Sequence, residues 1–326
     1  MTARWPRVAV TRAMPGDALD RLRAVAEVVV WPHRRPPSPE ELRTLAAGAT
    51  GLVTMLTDRV DAALLDACPD LQVVANMAAG HDNLDVPELT RRGIPVGTTP
   101  GVLTESTADL AWALMLAAAR RLPEAAAAVR DGEWVTWEPD WLLGVDVAGA
   151  TLGIVGYGRI GAAVARRAAG FGMEVLAWNR TPRTATGVTF VELDELVRRS
   201  DVVTLHCALT DETRGLIGAA ELRAMKPTAV LVNTARGPIV DQGALLRALE
   251  TGEIRAAGLD VAVPEPLPPD DPLLSLPNCL VVPHIGSATV TTRSRMAGMA
   301  VDHVLAVLAG DPPPHCVNPE VLASGP

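Results

Sequence analysis

The stretch TLGIVGYGRIGAAVARRAAG, residues 151–170, determines the fold that we expect for this chain. An apolar run typical of a buried strand is followed by Gly156, Gly158 and Gly161, and then by a helical pattern. Glycine permits a tight turn and lets the backbone approach a pyrophosphate, which binds at the N-terminus of the next helix. A second strand-like run, MEVLAWN at residues 173–179, completes the context that this motif requires. The stretch therefore predicts a dinucleotide site.

Short β-rich runs alternate with helical patterns on both sides of the glycine motif. The series before it extends from RVAV at residues 7–10 to IPVGTT at 94–99, and the series after it ends with CLVVPHI at 279–285. Such alternation is typical of doubly wound parallel sheets. Since 326 residues are many for one hydrophobic core, we expect an α/β fold with two parallel-sheet domains.

The composition limits the partners that this chain can have. A net charge of −9 argues against binding to nucleic acid or to an anionic membrane. The start of the chain shows no signal peptide, and the longest apolar run, residues 110–119, is about half of the ~20 residues that span a bilayer. The four cysteines lie far apart and show no metal-ligand spacing. We expect a cytoplasmic protein with no metal site.

The end of the strand at residues 173–179 predicts which dinucleotide binds. An acidic residue about twenty positions after the glycine turn commonly bonds the ribose 2′-hydroxyl of NAD. Here the position is Asn179, followed by Arg180 and Arg183. Asparagine removes the repulsion towards the 2′-phosphate of NADP, and arginine can bind it. The pattern favours NADPH, with NADH possible; the alternative is that both arginines are solvated.

Four ionisable residues follow the ends of strands in the second series: His206, Arg236, Glu265 and His284. The carboxyl ends of parallel strands meet at the edge where ligands bind. Each residue has a simpler interpretation, which for His206 is a packed histidine, for Arg236 a surface arginine and for Glu265 a solvated loop residue. His284 is the strongest candidate, because Pro283 before it and Ile-Gly after it hold a polar ring at this edge.

These residues suit the reduction of a 2-oxo acid. Arg236 can hold the substrate carboxylate bidentately and polarise the carbonyl. An imidazolium at His284 can supply the proton that a developing alkoxide needs. A carboxylate such as Glu265 would orient that ring and favour its protonated form. The set predicts an oxidoreductase for a small 2-oxo acid.

Residues 131–147, DGEWVTWEPDWLLGVDV, contain three of the seven tryptophans and are interrupted by Pro139. We interpret this segment as an extended arm, and favour a subunit interface over packing on its own domain, because exposed aromatic residues usually need a partner surface.

Three blocks in this order, VNTARG at 232–237, GLDV at 258–261 followed by PEP, and PHIGSAT at 283–289, resemble the D-isomer-specific 2-hydroxyacid dehydrogenases. The chain is most similar to the glyoxylate/hydroxypyruvate reductase branch, through RRLPEA at 120–125, the tryptophan arm, PEPLP, and a TR pair with Met296 after PHIGSAT. The resemblance covers roughly residues 50–315. One departure is Ala208, where the family often has proline.

The resemblance implies an insertion: residues 100–285 form a Rossmann cofactor domain within a flavodoxin-like substrate domain built from residues 1–99 and 286–326. It also implies a homodimer in which Trp141 reaches the neighbouring active site. The implied catalytic residues are Arg236, Glu265 and His284, and the implied substrate contacts are Ala79, Gly80, Arg236, His284, Ser287 and Trp141. The candidate cofactor contacts are Gly156, Gly158, Arg159, Ile160, Gly161, Asn179, Arg180, Thr181, Arg183, Ala208, Thr234, Asp260 and Gly286. For Asp260 a cofactor-amide or arginine-orienting role is favoured over that of an acid catalyst.

The activity that the resemblance implies is reduction of glyoxylate and hydroxypyruvate to glycolate and D-glycerate, with NADPH preferred. One alternative is a dehydrogenase for another D-2-hydroxy acid, of the 2-ketogluconate, phenylpyruvate or phosphoglycerate type. A second alternative, from a different class, is a dinucleotide-sensing corepressor-like binding protein. That role would need a peptide groove or a disordered tail, and this chain ends soon after its last predicted helix.

Overall fold

The computed structural model describes residues 5–181 and 183–323. By its internal contacts the chain forms two units, one from residues up to Leu103 together with those from Ala288 onward, and the other from Thr104–Ser287. The divisions lie four and two residues further along the chain than the expected 99/100 and 285/286.

The first unit is built on a five-stranded parallel sheet with the strand order β2-β1-β3-β4-β5. Its strands are β1 Arg7–Val10, β2 Glu27–Val30, β3 Gly51–Thr54, β4 Val73–Asn76 and β5 Val96–Gly97. Its helices are α1 Ala18–Arg23, α2 Pro39–Ala46, α3 Ala62–Asp66, α4 Val86–Arg91 and the last helix of the chain, α11 Val290–Leu308. The order 2-1-3-4-5 is the flavodoxin-like one, as predicted.

Helix α11 returns the chain to this first sheet. Its apolar side, which includes Met296, Ala300 and Val304, packs with Val8 of β1 and Val73 of β4 in one buried cluster. A strand that is covered on both faces must be apolar throughout, which is why these strands show no polar alternation. The helix is therefore part of the core of the first unit.

The second unit is built on a seven-stranded parallel sheet with the order β12-β11-β10-β9-β6-β7-β8. Its strands are β6 Thr151–Val155, β7 Glu174–Trp178, β8 Thr189–Phe190, β9 Val202–Leu205, β10 Val230–Asn233, β11 Ala256–Leu259 and β12 Cys279–Val281. Its helices are α5 Thr104–Ala119, α6 Leu122–Arg130, α7 Arg159–Ala168, α8 Leu193–Arg199, α9 Ala219–Ala224 and α10 Gln242–Thr251. Renumbered from β6, the order is 3-2-1-4-5-6 with a seventh strand added, which confirms the predicted Rossmann fold.

The strand order of the second unit fixes where a ligand binds. The chain runs outward from β6 in both directions, to β7 on one side and to β9 on the other. In such sheets ligands bind beyond the carboxyl ends of the strands at the point where the order reverses. The glycine turn directly follows β6, so it lies at this point.

The arm at residues 131–147 has no regular secondary structure. Trp134 and Trp137 are 63% and 81% exposed, whereas Trp141 is half-buried. Arg255 bonds the carbonyl of Leu143 at 2.5 Å and holds the end of the arm against the second unit.

Across the described ranges, every helix is too short or too polar to cross a bilayer. Nowhere in residues 5–181 and 183–323 do three metal-ligating side chains cluster.

Candidate active site

The three glycines of the turn after β6 have different physical roles. Gly156 has a φ of +94°, and a Cβ there would lie 2.4 Å from the main-chain nitrogen of Cys207. A Cβ on Gly161 would lie 2.5 Å from the carbonyl oxygen of Gly156. These two glycines are therefore required by the fold. Around Gly158, by contrast, no atom lies within 4 Å of the Cβ position.

The open space at Gly158 lies at the N-terminus of α7. Gly158 is the exposed N-cap residue and offers no side chain to the first N–H groups of the helix. Arg159 and Ile160 form the first turn, with Arg159 exposed and Ile160 half-buried. Free N–H groups and the helix dipole favour an anion at such a position. This turn fits the pyrophosphate of a dinucleotide, because the fold gives no other reason for glycine at position 158.

Asn179, at the end of β7, bonds the glycine turn directly. Its Oδ1 accepts a hydrogen bond from the main-chain N–H of Tyr157 at 2.5 Å, and Trp178 accepts one from Gly156 at 2.9 Å. Sequence reasoning considered only the missing negative charge at this position. The structure adds that the side-chain amide holds the turn against the end of β7.

The side chain of Arg180 is engaged by a residue that sequence reasoning did not identify. Its Nη1 lies 2.5 Å from Oε2 of Glu212, and both side chains are exposed. Thr181 and Arg183 follow in an exposed, irregular segment. Arg180 is therefore a solvent-exposed cation that is paired with a carboxylate.

His206, just after β9, is a packed histidine. Its Nε2 lies 2.9 Å from Oγ1 of Thr204, and its Nδ1 lies 3.3 Å from Oγ1 of Thr234. Burial lowers the pKa of His206 to about 3, so the ring is neutral. Ala208, two residues later, is exposed, and its carbonyl accepts a bond from Thr213 at 2.8 Å.

Glu265 and His284 form a hydrogen-bonded pair. His284 Nδ1 and Glu265 Oε2 are 2.8 Å apart, and their side chains are 24% and 31% exposed. Burial alone would raise the pKa of Glu265, but the bond to His284, the Ala262 N–H and the charge of Arg236 more than offset it. The pKa of Glu265 is lowered overall, so the carboxylate is ionised near neutral pH.

Arg236 lies at the end of the loop after β10, one residue before Gly237. Its carbonyl accepts a bond from Asn233 Nδ2 at 3.0 Å, and its Nη1 bonds the carbonyl of Ala235 at 2.9 Å. A Cβ on Gly237 would lie 2.1 Å from the carbonyl oxygen of Ala262, so the two loops pack backbone to backbone. This contact brings Arg236 into electrostatic reach of Glu265.

The backbone at His284 adopts a left-handed conformation, with a φ of +52°. Asp260, which is 2% exposed, holds it there. Oδ1 of Asp260 accepts the Ile285 N–H at 2.6 Å, Oδ2 accepts the Gly286 N–H at 2.8 Å, and its carbonyl accepts the His284 N–H at 3.0 Å. Burial raises the pKa of Asp260 against the effect of these bonds. Sequence reasoning did not foresee that Asp260 positions the histidine loop.

One ring nitrogen of His284 is held by a carboxylate, and the other is open. Glu265 holds Nδ1, and Nε2 has no hydrogen bond to any residue in 5–181 or 183–323. A ring with a carboxylate at one nitrogen can donate a proton from the other. Ser287, three residues further on, is half-buried at the end of the same loop.

The predicted substrate loop, Ala79–Gly80, lies in the first unit after β4. Asn76, fully buried at the end of that strand, bonds the Gly80 carbonyl at 3.0 Å, and it also bonds Asn83 at 3.1 Å. Within the described ranges, the main-chain N–H groups of Ala79 and Gly80 have no intramolecular acceptor. They remain available to bind an anion such as a carboxylate.

Comparisons with known proteins identify relatives of this chain. The family model for the D-isomer specific 2-hydroxyacid dehydrogenase NAD binding domain matches residues 112–286. The chain is similar to a glyoxylate reductase of Korarchaeum cryptofilum, at 51% identity over 97% of each chain. It is 48% identical to the glyoxylate reductase of Thermococcus kodakarensis, again over 97% of each.

A solved structure of an NADPH-dependent glyoxylate/hydroxypyruvate reductase from Sinorhizobium meliloti, in complex with NADP and malonate, has the same fold. Its sequence is 35% identical, its TM-score is 0.85, and the alignment covers 96% of this chain and 97% of that one. A protein from Thermus thermophilus has 52% identity and a TM-score of 0.91, with 95% and 99% of the two chains covered.

Proposed function

The chain belongs to the D-isomer specific 2-hydroxyacid dehydrogenase family and is an NAD(P)-dependent oxidoreductase, and from that premise we propose that it reduces glyoxylate and hydroxypyruvate to glycolate and D-glycerate. The observation that carries this proposal is the 2.8 Å pair of His284 and Glu265, on a loop that Asp260 holds in place. The names of the glyoxylate reductases to which the chain is similar support the choice of substrates.

We assign the catalytic roles to Arg236, Glu265 and His284. Arg236 binds the substrate carboxylate, since a guanidinium matches a carboxylate with two parallel hydrogen bonds. His284 donates a proton from Nε2 to the oxygen of the substrate carbonyl, while the anionic Glu265 stabilises the imidazolium. A bound nicotinamide cofactor supplies the hydride.

We place the cofactor along the carboxyl edge of the seven-stranded sheet, with its pyrophosphate at the glycine turn after β6. The open N-terminus of α7 at Gly158, Arg159 and Ile160 would hold the pyrophosphate. Thr234 and Gly286 lie on the loops after β10 and β12, at the same edge of the sheet. NADPH is the preferred cofactor and NADH the alternative, with Arg180 and Arg183 as the cations for the 2′-phosphate. The NADP-bound relative supports this assignment without deciding the preference.

Four further assignments complete the proposal. The N–H groups of Ala79 and Gly80 bind the substrate carboxylate, together with Ser287. The protein is a homodimer, because Trp134 and Trp137 are largely exposed on the arm and need a partner surface. In that dimer Trp141 contributes to the neighbouring site. The protein is located in the cytoplasm, which agrees with the finding that its four cysteines form no disulfide.

A steady-state assay tests the function. Purified protein is mixed with NADPH and either glyoxylate or hydroxypyruvate, and oxidation of the cofactor is followed by absorbance. We expect turnover with both keto acids. No oxidation with either one would refute the activity, whereas a higher kcat/KM for phenylpyruvate or 2-ketogluconate would move the enzyme to another substrate class.

A further inference from the structure

Arg180, which the proposed function assigns to the 2′-phosphate of the cofactor, forms an ion pair with Glu212. We propose that Glu212 sets the cofactor preference of this protein, because its carboxylate competes with that phosphate for the Arg180 guanidinium. This inference rests on the dinucleotide site of the proposed function and on Arg180 as its phosphate contact. It adds an acidic residue that limits the preference for NADPH.

Arg180 is held close to the glycine turn by its neighbour in sequence. Asn179 bonds the N–H of Tyr157 at 2.5 Å, and Gly156 bonds the carbonyl of Trp178 at 2.9 Å. These two contacts, at the two residues that precede Arg180, fix the end of β7 beside the turn. The backbone that carries the Arg180 side chain is therefore held in place next to the glycine turn.

Glu212 also starts from an ordered segment. It lies in the turn after β9, where the side chain of Thr213, only 6% exposed, accepts the N–H of Thr210 at 2.8 Å and bonds the carbonyl of Ala208 at 2.8 Å. The Thr210 hydroxyl lies 3.4 Å from Glu212 Oε2. The carboxylate is thus directed towards Arg180, and the 2.5 Å contact joins two anchored loops.

Both side chains of the pair are exposed, at 65% and 68%. Exposed ion pairs are weak, and a phosphate dianion is the stronger guanidinium ligand. NADP can therefore displace Glu212 from Arg180, but the carboxylate remains close to the phosphate. For like charges about 5 Å apart in water, this repulsion weakens the binding of a phosphate of −1.5 to −2 charge by about tenfold.

NAD carries no 2′-phosphate, so the repulsion does not affect it. Arg183 lies three residues beyond Arg180, and no residue in 5–181 or 183–323 forms an ion pair with it. Its positive charge attracts the phosphate without competition. The net preference for NADP over NAD is therefore set by the attraction of Arg180 and Arg183 for the 2′-phosphate, reduced by the repulsion from Glu212.

The test measures binding of NADP⁺ and NAD⁺ by isothermal titration calorimetry to the wild type, Glu212→Gln, Arg180→Ala and the double variant. We expect Glu212→Gln to lower the Kd for NADP⁺ by about tenfold and to leave the Kd for NAD⁺ within about twofold. Arg180→Ala should raise the Kd for NADP⁺ by about tenfold, and Glu212→Gln should lower that raised Kd again by about tenfold, because the carboxylate repels the phosphate directly.

The matched control is Glu195→Gln. Glu195 is an exposed carboxylate that pairs with Arg199 at 2.6 Å, and Arg199 also bonds Glu174 at the opposite end of β7 from Arg180. The same change of charge there should leave both Kd values unaltered.

Two results would overturn the inference while leaving the phosphate contact intact. One is an unchanged Kd for NADP⁺ in Glu212→Gln when Arg180→Ala weakens it. The other is equal tightening of NADP⁺ and NAD⁺, which would show a general charge effect. If Arg180→Ala leaves the Kd for NADP⁺ unchanged, the phosphate contact of the proposed function fails, and this inference fails with it.

Discussion

Replacement of Asp260 by asparagine tests whether this residue acts by holding the catalytic loop. In the wild type, both carboxylate oxygens accept main-chain N–H groups, from Ile285 at 2.6 Å and Gly286 at 2.8 Å, and the side chain is buried. Asparagine offers one oxygen and one NH₂ group. One of the two main-chain N–H groups would therefore face another donor inside the protein.

The expected loss follows from these contacts. A hydrogen bond to a charged group contributes about 1.5–3 kcal/mol, and a buried donor without a partner costs about 1–3 kcal/mol. The left-handed backbone of His284 costs a further ~1–2 kcal/mol. In the wild type, the clamp formed by the two hydrogen bonds from Ile285 and Gly286 to the Asp260 carboxylate offsets this cost. We take ~2–4 kcal/mol as the net loss for the catalytic conformation, which lowers kcat/KM by about 30- to 900-fold.

The assay is steady-state reduction of glyoxylate, with calorimetric binding of NADP⁺ as the second readout. A positioning residue lowers kcat while the Kd for NADP⁺ stays within about threefold, whereas a residue that bonds the cofactor amide raises that Kd. Asp241→Asn is the control, because Asp241 also accepts a main-chain N–H, from Ala244 at 2.9 Å, at a helix N-cap where asparagine serves equally well. A folded Asp260→Asn protein with kcat/KM within about threefold of wild type would falsify the clamp.

Three further predictions concern the other parts of the second unit. His284→Asn should lower kcat by about 10²–10⁴-fold, because the positioned proton donor is lost; a rate near that of wild type excludes His284 from this role. Gly158→Ala should leave the unfolding midpoint unchanged, since its Cβ meets no atom, and should weaken the binding of NADP⁺ by about 10- to 100-fold. Gly156→Ala, by contrast, should fail to fold stably. Equal thermal destabilisation of the two variants would contradict the different roles of these glycines. Because the pKa of His206 is lowered to about 3 by burial, its neutral form stabilises the fold fully above its ordinary pKa of 6.5, and this contribution is lost as the pH falls. Between about pH 7.5 and pH 5, His206 should lower the free energy of unfolding by roughly 2 kcal/mol. Urea unfolding at the two pH values should show this loss for the wild type and not for His206→Gln.

The local parts of this protein were predictable from the sequence. The glycine turn is recognised from the spacing of its glycines within residues 151–170, and the alternation of strand and helix from the period of apolar residues. Both signals are short-range, so the two parallel sheets and the dinucleotide site could be predicted from them. The order of Arg236, Glu265 and His284 after successive strands also indicated one sheet edge, since parallel strands end together.

The partners of these residues could not be read from the sequence, because they are distant in the chain. Arg180 and Glu212 are 32 residues apart, and Asp260 and Ile285 are 25 apart. A pattern of charges after a strand shows which groups are present, but not which of them neutralise each other. The sequence therefore predicted Arg180 as a phosphate contact without predicting that Glu212 pairs with it.

What the sequence by itself determined is the class of fold, the glycine turn after β6 and the set of candidate residues for the chemistry. The tertiary structure decided how those residues are held: Asn179 against the glycine turn, Arg180 against Glu212, and His284 between Glu265 and Asp260. The physical reason is that turns and strands follow from neighbouring residues, whereas hydrogen bonds between loops depend on the register of β6, β7, β9 and β11 within the sheet.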